Sequence, residues 1–363
     1  MQESAVNPPS KPGESAAALK SDSPEESFVP GRPPDPSITR VGASNVCPGC
    51  QSDRIRTLCR GEDFLYRTTE RLFLVVECKD CKMIRLYPRP DPEELRRFYP
   101  SQAQSGDDAP GFWKKLLRRF LYRDHVRFVR SALDEVPGNG PLLDVGCGTG
   151  LFLRELDLPQ ERMVGLNISP EEAAMAWSRN AVPAICGAMP SAPFPPGTFA
   201  AITMFGVLEH LYDPSVYIEA AAQLLRSDGR LIIQVPNAGS WQFLLLGERW
   251  SGLDIPRHLL LFRSDDLENL LEFCGFEIVR RKKFSLRNDP LTLVNSIAPG
   301  LNPEVRRARG TEENQIAAVV KHILFGLVWL LALPIAALES SCCGGASLTV
   351  EARLKRVSSD YSI

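Results

Sequence analysis

One stretch limits the choice of fold more than any other. Leu142-Leu143-Asp144-Val145 reads as a short buried strand, Gly146-Cys147-Gly148-Thr149-Gly150 follows at once, and Leu151–Asp157 opens as a helix. Glycines let the backbone turn sharply and approach a ligand with no Cβ in the way. The helix N-terminus behind such a turn presents unpaired N–H groups. The dinucleotide fingerprint requires G-x-G-x-x-G, and this turn has G-x-G-x-G.

The rest of the chain repeats the same alternation. Short apolar runs at RMVGLNIS, FAAITMF, RLIIQVPN, FEIVRRKKF and ASLTVEARLK are spaced by helical stretches, one of them Trp113 to about Glu135. Strands alternating with helices predict a mostly parallel sheet covered on both faces. With 363 residues, 44% of them hydrophobic, the chain has material for about two domains.

Taken together these motifs resemble the class I S-adenosylmethionine-dependent methyltransferases. LLDVGCGTGLFL looks like their first motif, VGLNIS the end of their second strand, FAAITMFGVLEHLYDP their fourth strand, and LRSDGRLIIQVPN their fifth. The resemblance runs from Leu142 to Val279, with a last strand near Ser347–Lys355. It implies a Rossmann-like α/β domain over 113–355 with a seven-stranded sheet. It also implies that the backbone of Gly146, Cys147, Gly148 and Gly150 lines the methionine part of the cofactor and that Asp144 acts on its amino group. Asn167 and Ile168 would face the ribose, Ala188 and Met189 the adenine, and Phe205 and Gly206 the reacting methyl.

Three positions depart from that pattern. Asn167 replaces the ribose-binding acid, Ala188 the adenine-binding acid, and Ala200 a common Asp. A carboxylate accepts from two hydroxyls through charge-assisted bonds, whereas an amide offers one oxygen. The expectation is cofactor binding weaker by ~1–3 kcal/mol in sum unless something compensates. A non-catalytic binding protein that kept the fold is therefore the alternative reading.

Two histidines are candidate bases. Glu209-His210 lies just past the fourth strand, beyond the carboxyl end where ligands of open α/β sheets bind. His210 could take a proton, with Glu209 orienting it. Alternatively, as a resemblance to ubiquinone-pathway O-methyltransferases suggests, the pair holds a divalent cation such as Mg2+. A third option is that both simply cap the following helix. His258 belongs to Trp250-Ser251-Gly252-Leu253-Asp254-Ile255-Pro256-Arg257-His258-Leu259, after the fifth strand. There Arg257 either grips a phosphate or carboxylate or pairs with Asp254. His125 and His322 carry no such context and are read as surface or helix residues.

Ahead of this domain, Cys47-Pro-Gly-Cys50 and Cys78-Lys-Asp-Cys81 form two C-x-x-C pairs separated by residues 51–77. Two such knuckles make a tetrahedral four-sulfur site suited to structural Zn2+. The prediction is a small zinc ribbon over 41–100, entered by a strand at Arg71–Val76, with Cys59 spare. Four of the ten cysteines are thus assigned to metal, which fits a reducing, cytoplasmic setting.

The remaining segments bear on partners. Residues 1–40, rich in Pro, Ser, Glu and Gly, read as a disordered tail with no basic-then-apolar signal sequence, and 100–111 as a linker. Ile323–Leu338 carries no charge, within a partly apolar insert over 286–345. It lies between two strands of one sheet, so a single membrane crossing is excluded. A helix lying on the membrane, a re-entrant hairpin, or burial in a homodimer or in the core remain. Trp113–Arg130, with Lys115, Arg119, Arg123 and Arg127 four apart, is either a lipid-contacting or an ordinary covering helix. The expected acceptor is a small metabolite, a glycan or a lipid-linked molecule, methylated at oxygen. A net charge of −2 and no basic-aromatic interleaving argue against nucleic acid.

Overall fold

The computed structural model describes residues 46–99 and 112–355. The stretch 1–40 and the linker 100–111 lie outside the described residues.

In chain order the first elements are β1 (Ile55–Gly61), β2 (Phe73–Cys78), β3 (Ile84–Tyr87), α1 (Pro92–Arg97) and α2 (Phe112–Asp134). The alternating part follows: β4 (Leu142–Val145), α3 (Leu151–Leu156), β5 (Met163–Asn167), α4 (Pro170–Asn180), β6 (Ala184–Cys186), β7 (Phe199–Phe205), α5 (Pro214–Leu224) and β8 (Leu225–Pro236). The chain ends with α6 (Trp241–Leu246), β9 (Leu260–Leu261), α7 (Ser264–Phe273), β10 (Phe276–Lys282), α8 (Asn288–Ile297), α9 (Pro303–Ala308), α10 (Gln315–Cys343) and β11 (Ser347–Leu354).

The large sheet has seven strands in the order β10-β11-β8-β7-β4-β5-β6. Strands β6, β5, β4, β7 and β8 run parallel, and β11 is antiparallel to both its neighbours. Side-chain alternation divides the core between the two faces. Leu142, Ala201 and Ile232 point toward α2 and α3, whereas Leu143, Ile202, Leu231 and Ile233 point toward α5 and α7. Because both faces are covered, β7 reads as one continuous apolar run, FAAITMF. Strand order reverses at β4, whose two neighbours lead off in opposite directions, so a crevice opens at its carboxyl end.

The N-terminal module does not stand apart. Strands β1, β2 and β3 are joined by β9, contributed from beyond β8, in a four-stranded sheet. Phe73, Val75, Ile84 and Leu86 of this sheet share a core with Trp250, Leu253, Ile255 and Leu259. Each such fully buried apolar side chain contributes about 1.5–3 kcal/mol, which ties the ribbon to the loop after β8.

The insert 286–345 begins and ends at one edge of the large sheet. Lys282, ending β10, pairs with Thr349, and Ser347, starting β11, pairs with Pro236 at the carboxyl end of β8. Helix α10 is 29 residues long and contains Pro334. It buries Ala332, Ala336, Glu339 and Ser340 and leaves Ile323, Leu327, Leu330, Leu331, Ile335 and Leu338 exposed.

Candidate active site

A cavity of about 690 Å³ opens at the crevice beyond β4. Its near wall is Val145, Gly146, Leu166, Asn167 and Ile168, and its far wall includes Gly206, Val207, His210 and Tyr217. Leu95, Arg96 and Tyr99 of the ribbon's last turns close a third side. The cavity therefore joins the glycine turn to the Glu209-His210 segment, with the ribbon as part of its rim.

The turn itself is built around left-handed glycines. Gly146, Gly148 and Gly150 have φ of +72°, +53° and +76°, conformations that a Cβ disfavours. A Cβ on Gly146 would also meet Val207 at 2.7 Å, while one on Gly148 would meet nothing within 4 Å. Gly146 and Cys147 donate their N–H groups to Leu166 O at 2.8 and 3.2 Å, which pins the turn to β5.

The other expected cofactor residues divide. Met189 lines the cavity and Ile168 is its exposed edge, but Gly187 rather than Ala188 is the wall between them. Asp144 lies behind the wall, buried, and accepts from Thr203 Oγ1 at 2.6 Å. Burial pushes its carboxyl up to about 7 against the lowering effect of that hydrogen bond. Phe205 turns away from the crevice and packs edge-on against Phe152 and His125, at 5.0 and 5.4 Å between centroids. The Cys147 side chain is likewise buried in the core beneath the turn.

Glu209, His210 and His258 come together, each offering one ligand atom within 4.8 Å of the others. The two imidazoles meet edge to face at 4.7 Å. His210 Nδ1 lies 3.0 Å from Arg257 O, and His258 Nδ1 lies 2.8 Å from Gly252 O. A carbonyl can only accept, so each Nδ1 carries the proton and each Nε2 keeps its lone pair. Burial, then the neighbouring His258, pushes His210 down to about 3, and burial also lowers His258. Glu209 is buried with Oε2 unpartnered, and burial raises its carboxyl to about 8. An orphaned carboxylate oxygen beside two bare imidazole nitrogens fits a divalent cation. Two nitrogen ligands suit zinc, iron or nickel better than Mg2+, which favours oxygen.

Arg257 is not available to a substrate. It is buried and bidentate to Asp63 at 2.8 and 3.0 Å, and it also binds Asp254 at 2.7 Å and Phe98 O at 3.0 Å. Its guanidinium lies 4.5 Å from the Tyr66 ring centroid. Of the two expectations for Arg257, pairing with Asp254 holds, and the ribbon's Asp63 doubles it. Burial alone would raise the Asp63 and Asp254 carboxyls; Arg257 outweighs it and holds both below their usual range.

Sequence reasoning missed several participants. Tyr99, whose hydroxyl is 3.1 Å from His210 Nδ1, and Glu172 both belong to the site. His125 is a buried helix residue held by Gln234 at 3.1 Å, not a surface one. An Asn-x-x-x-x-Glu spacing at the start of α4 was the available signal for Glu172; Tyr99 had none, because its position depends on how the ribbon docks.

At the ribbon, Cys47 and Cys81 sulfurs lie 3.4 Å apart and Cys50 and Cys78 sulfurs 3.5 Å apart. All four ligand atoms lie within 4.8 Å of one another. A tetrahedron with Zn–S of about 2.3 Å has S–S edges of about 3.8 Å, so the four thiols fit one zinc ion. Cys59 takes no part in the cluster.

Residues 113–281 match the family model described as a methyltransferase domain. A probable S-adenosylmethionine-dependent methyltransferase of Mycolicibacterium smegmatis is 27% identical over 143 residues, which is 38% of this chain and 52% of that protein. A ubiquinone biosynthesis O-methyltransferase of Idiomarina loihiensis is 27% identical over 161 residues, 43% of this chain and 65% of its own. The crystal structure of a SAM-dependent methyltransferase from Archaeoglobus fulgidus superposes with a TM-score of 0.41 at 16% identity, covering 67% of this chain and 99% of that one. The chain spans about half the length of the first of these curated relatives. The glycine turn and the reversal of strand order at β4 fit the family match: residues 113–281 carry a methyltransferase domain, similar to S-adenosylmethionine-dependent methyltransferases.

Proposed function

We propose that this protein transfers a methyl group from S-adenosylmethionine to an oxygen of a small, lipid-borne acceptor, with the ribbon held together by a structural zinc ion. The observation that carries the reading is the single cavity joining the glycine turn to His210. S-adenosylmethionine supplies a sulfonium methyl carbon open to in-line attack. The turn at 146–150 and the wall at Asn167, Ile168 and Met189 hold the cofactor. His210 Nε2 accepts the acceptor's hydroxyl proton, while Arg257 O fixes the ring; burial lowers its basicity, and the charge of Asp254 works against that loss. His258 and Glu209 support that base or, as a second reading favoured by the orphaned Glu209 Oε2, form a cation site with it.

The choice of a lipid-borne acceptor over a free metabolite or a glycan is supported by what gathers at the same sheet edge. His125 and Asp124 of α2 are level with the carboxyl ends of β8 and β10, through Gln234 and Lys282. The preceding turns of α2 therefore project past that edge. They leave Leu116, Leu117 and Phe120 exposed beside the exposed cations Lys115 and Arg119. Helix α10 ends at this edge, where Asn237 donates to Gly345 O and β11 begins, and only 6% of its most apolar 18 residues is buried. Basic and apolar side chains on one surface suit an anionic bilayer. Arg309, just ahead of α10, donates to Phe64 O and Leu65 O, and Asn237 donates to Gly345 O just after it, so both ends are fastened to one body and in this reading the helix lies on the membrane without crossing it. A peripheral location on the cytoplasmic face follows from this reading.

Calorimetry with S-adenosylmethionine and S-adenosylhomocysteine is the test. Micromolar binding that survives His210→Gln, with methyl transfer falling about 100-fold or more, supports the reading. No binding at millimolar cofactor refutes it.

A further inference from the structure

The amide at position 167 leaves a question that the geometry answers. Asn167 Nδ2 donates to Glu172 Oε2 at 2.6 Å, and Asn167 Oδ1 accepts from the Ser169 backbone N–H at 3.2 Å. The one oxygen that Asn167 owns is therefore engaged in its own turn. Glu172 stands in the first turn of α4, its backbone N–H held by Ser169 Oγ at 3.2 Å, and it lines the same cavity as Asn167, Ile168 and Gly187. Its Oε2 accepts from Asn167, and the side chain is only partly buried where it lines the cavity.

We propose that Glu172 is the carboxylate that receives the paired ribose hydroxyls of the cofactor, with Asn167 acting as its positioning residue. This rests on the methyl-transfer reading above. A vicinal diol presents two donors, and a carboxylate meets both with charge-assisted bonds. Asn167 offers one oxygen, already accepting from Ser169, which cannot meet two hydroxyls as a carboxylate does, but its amide N–H is the right group to orient a neighbouring carboxylate. The acid missing from the end of β5 has moved one helical turn along, into α4.

Calorimetry on the full chain tests this with two probes, S-adenosylhomocysteine and its 2′-deoxy form. Glu172→Gln should weaken S-adenosylhomocysteine about 10- to 100-fold and the 2′-deoxy form distinctly less, since one of the two hydroxyls that meet the carboxylate is already absent. Asn167→Asp alone should not tighten binding, because it sets two carboxylates against each other. The exchange Asn167→Asp with Glu172→Gln should recover most of the affinity. Wild-type affinity in Glu172→Gln, or equal losses for both probes, overturns the assignment while leaving the methyl-transfer reading intact. No binding by the wild type overturns both. Should Glu172→Gln unfold, Glu172→Asp, which keeps the charge but withdraws it, makes the same discrimination.

Discussion

Replacing Asp63 by Asn tests whether the ribbon holds the catalytic loop. The Arg257 guanidinium is 2% exposed, and Asp63 takes two of its hydrogen bonds. Breaking a buried ion pair by removing one partner costs about 3–5 kcal/mol. Here Asp254 stays to balance the charge, and Asn still accepts one bond, so about 2–3 kcal/mol is expected. At about 1–2 °C per kcal/mol for a chain of this size, Tm should fall roughly 2–6 °C. Asp63 is held below its unfolded value, so the stabilisation is complete above about pH 4 and drains away as pH falls through the lower folded value. The gap between wild type and Asp63→Asn, read by differential scanning calorimetry, should therefore narrow in acid. Methyl transfer should drop because Asp254 and His258 sit on the loop that Arg257 anchors. Affinity for S-adenosylhomocysteine should stay within about twofold, since that end of the cavity is built from β4, β5 and β6. A Tm change below about 1 °C, or a gap that widens as the pH falls, would refute the reasoning.

Other perturbations separate the remaining claims. Metal analysis should find one zinc per chain. Stripping it with a chelator should lower Tm and abolish methyl transfer, whereas Cys59→Ser should retain the metal. Asp144→Asn removes a carboxyl that burial raises to about 7. A raised acid contributes stability that is full below about pH 4 and lost as pH rises through 7. The variant should thus be more stable than wild type at pH 8.5, by at most about 4 kcal/mol, with the difference vanishing near pH 3.5; a constant difference across that range would count against a raised carboxyl. Leu331→Glu with Ile335→Glu should abolish co-sedimentation with anionic vesicles and leave S-adenosylhomocysteine binding intact. If the double variant instead turns a dimer into a monomer with no effect on vesicles, the face belongs to a second copy.

How much of this was visible in the residues depends on the range of the interaction that fixes each part. The turn after β4 is local: its glycines, the apolar strand before it and the helix after it are contiguous, so Gly146 and its neighbours could be placed from the sequence. The C-x-x-C knuckles are local too, and the seven-strand sheet follows from apolar runs whose character burial dictates. Strand β6, three residues of Ala-Ile-Cys that are not fully buried, lacks that mark. The Arg257 network was out of reach for a different reason. Asp63 lies far from Arg257 along the chain, and neither neighbourhood signals the other; only the docking of β9 onto β3 brings them together. The same docking puts Tyr99 beside His210, so these two contacts, each made between modules, could not be read from either stretch of sequence alone. Phe205 shows the converse limit. Its place at the end of β7 was readable, but which way the ring turns is set by Phe152 and His125, which fill the space on the far side of the sheet. A motif fixes where the backbone goes, and the packing around it decides which side chains face a ligand. On that ground Glu172, a residue outside every matched motif, is a stronger candidate for the ribose than the asparagine that occupies the motif position.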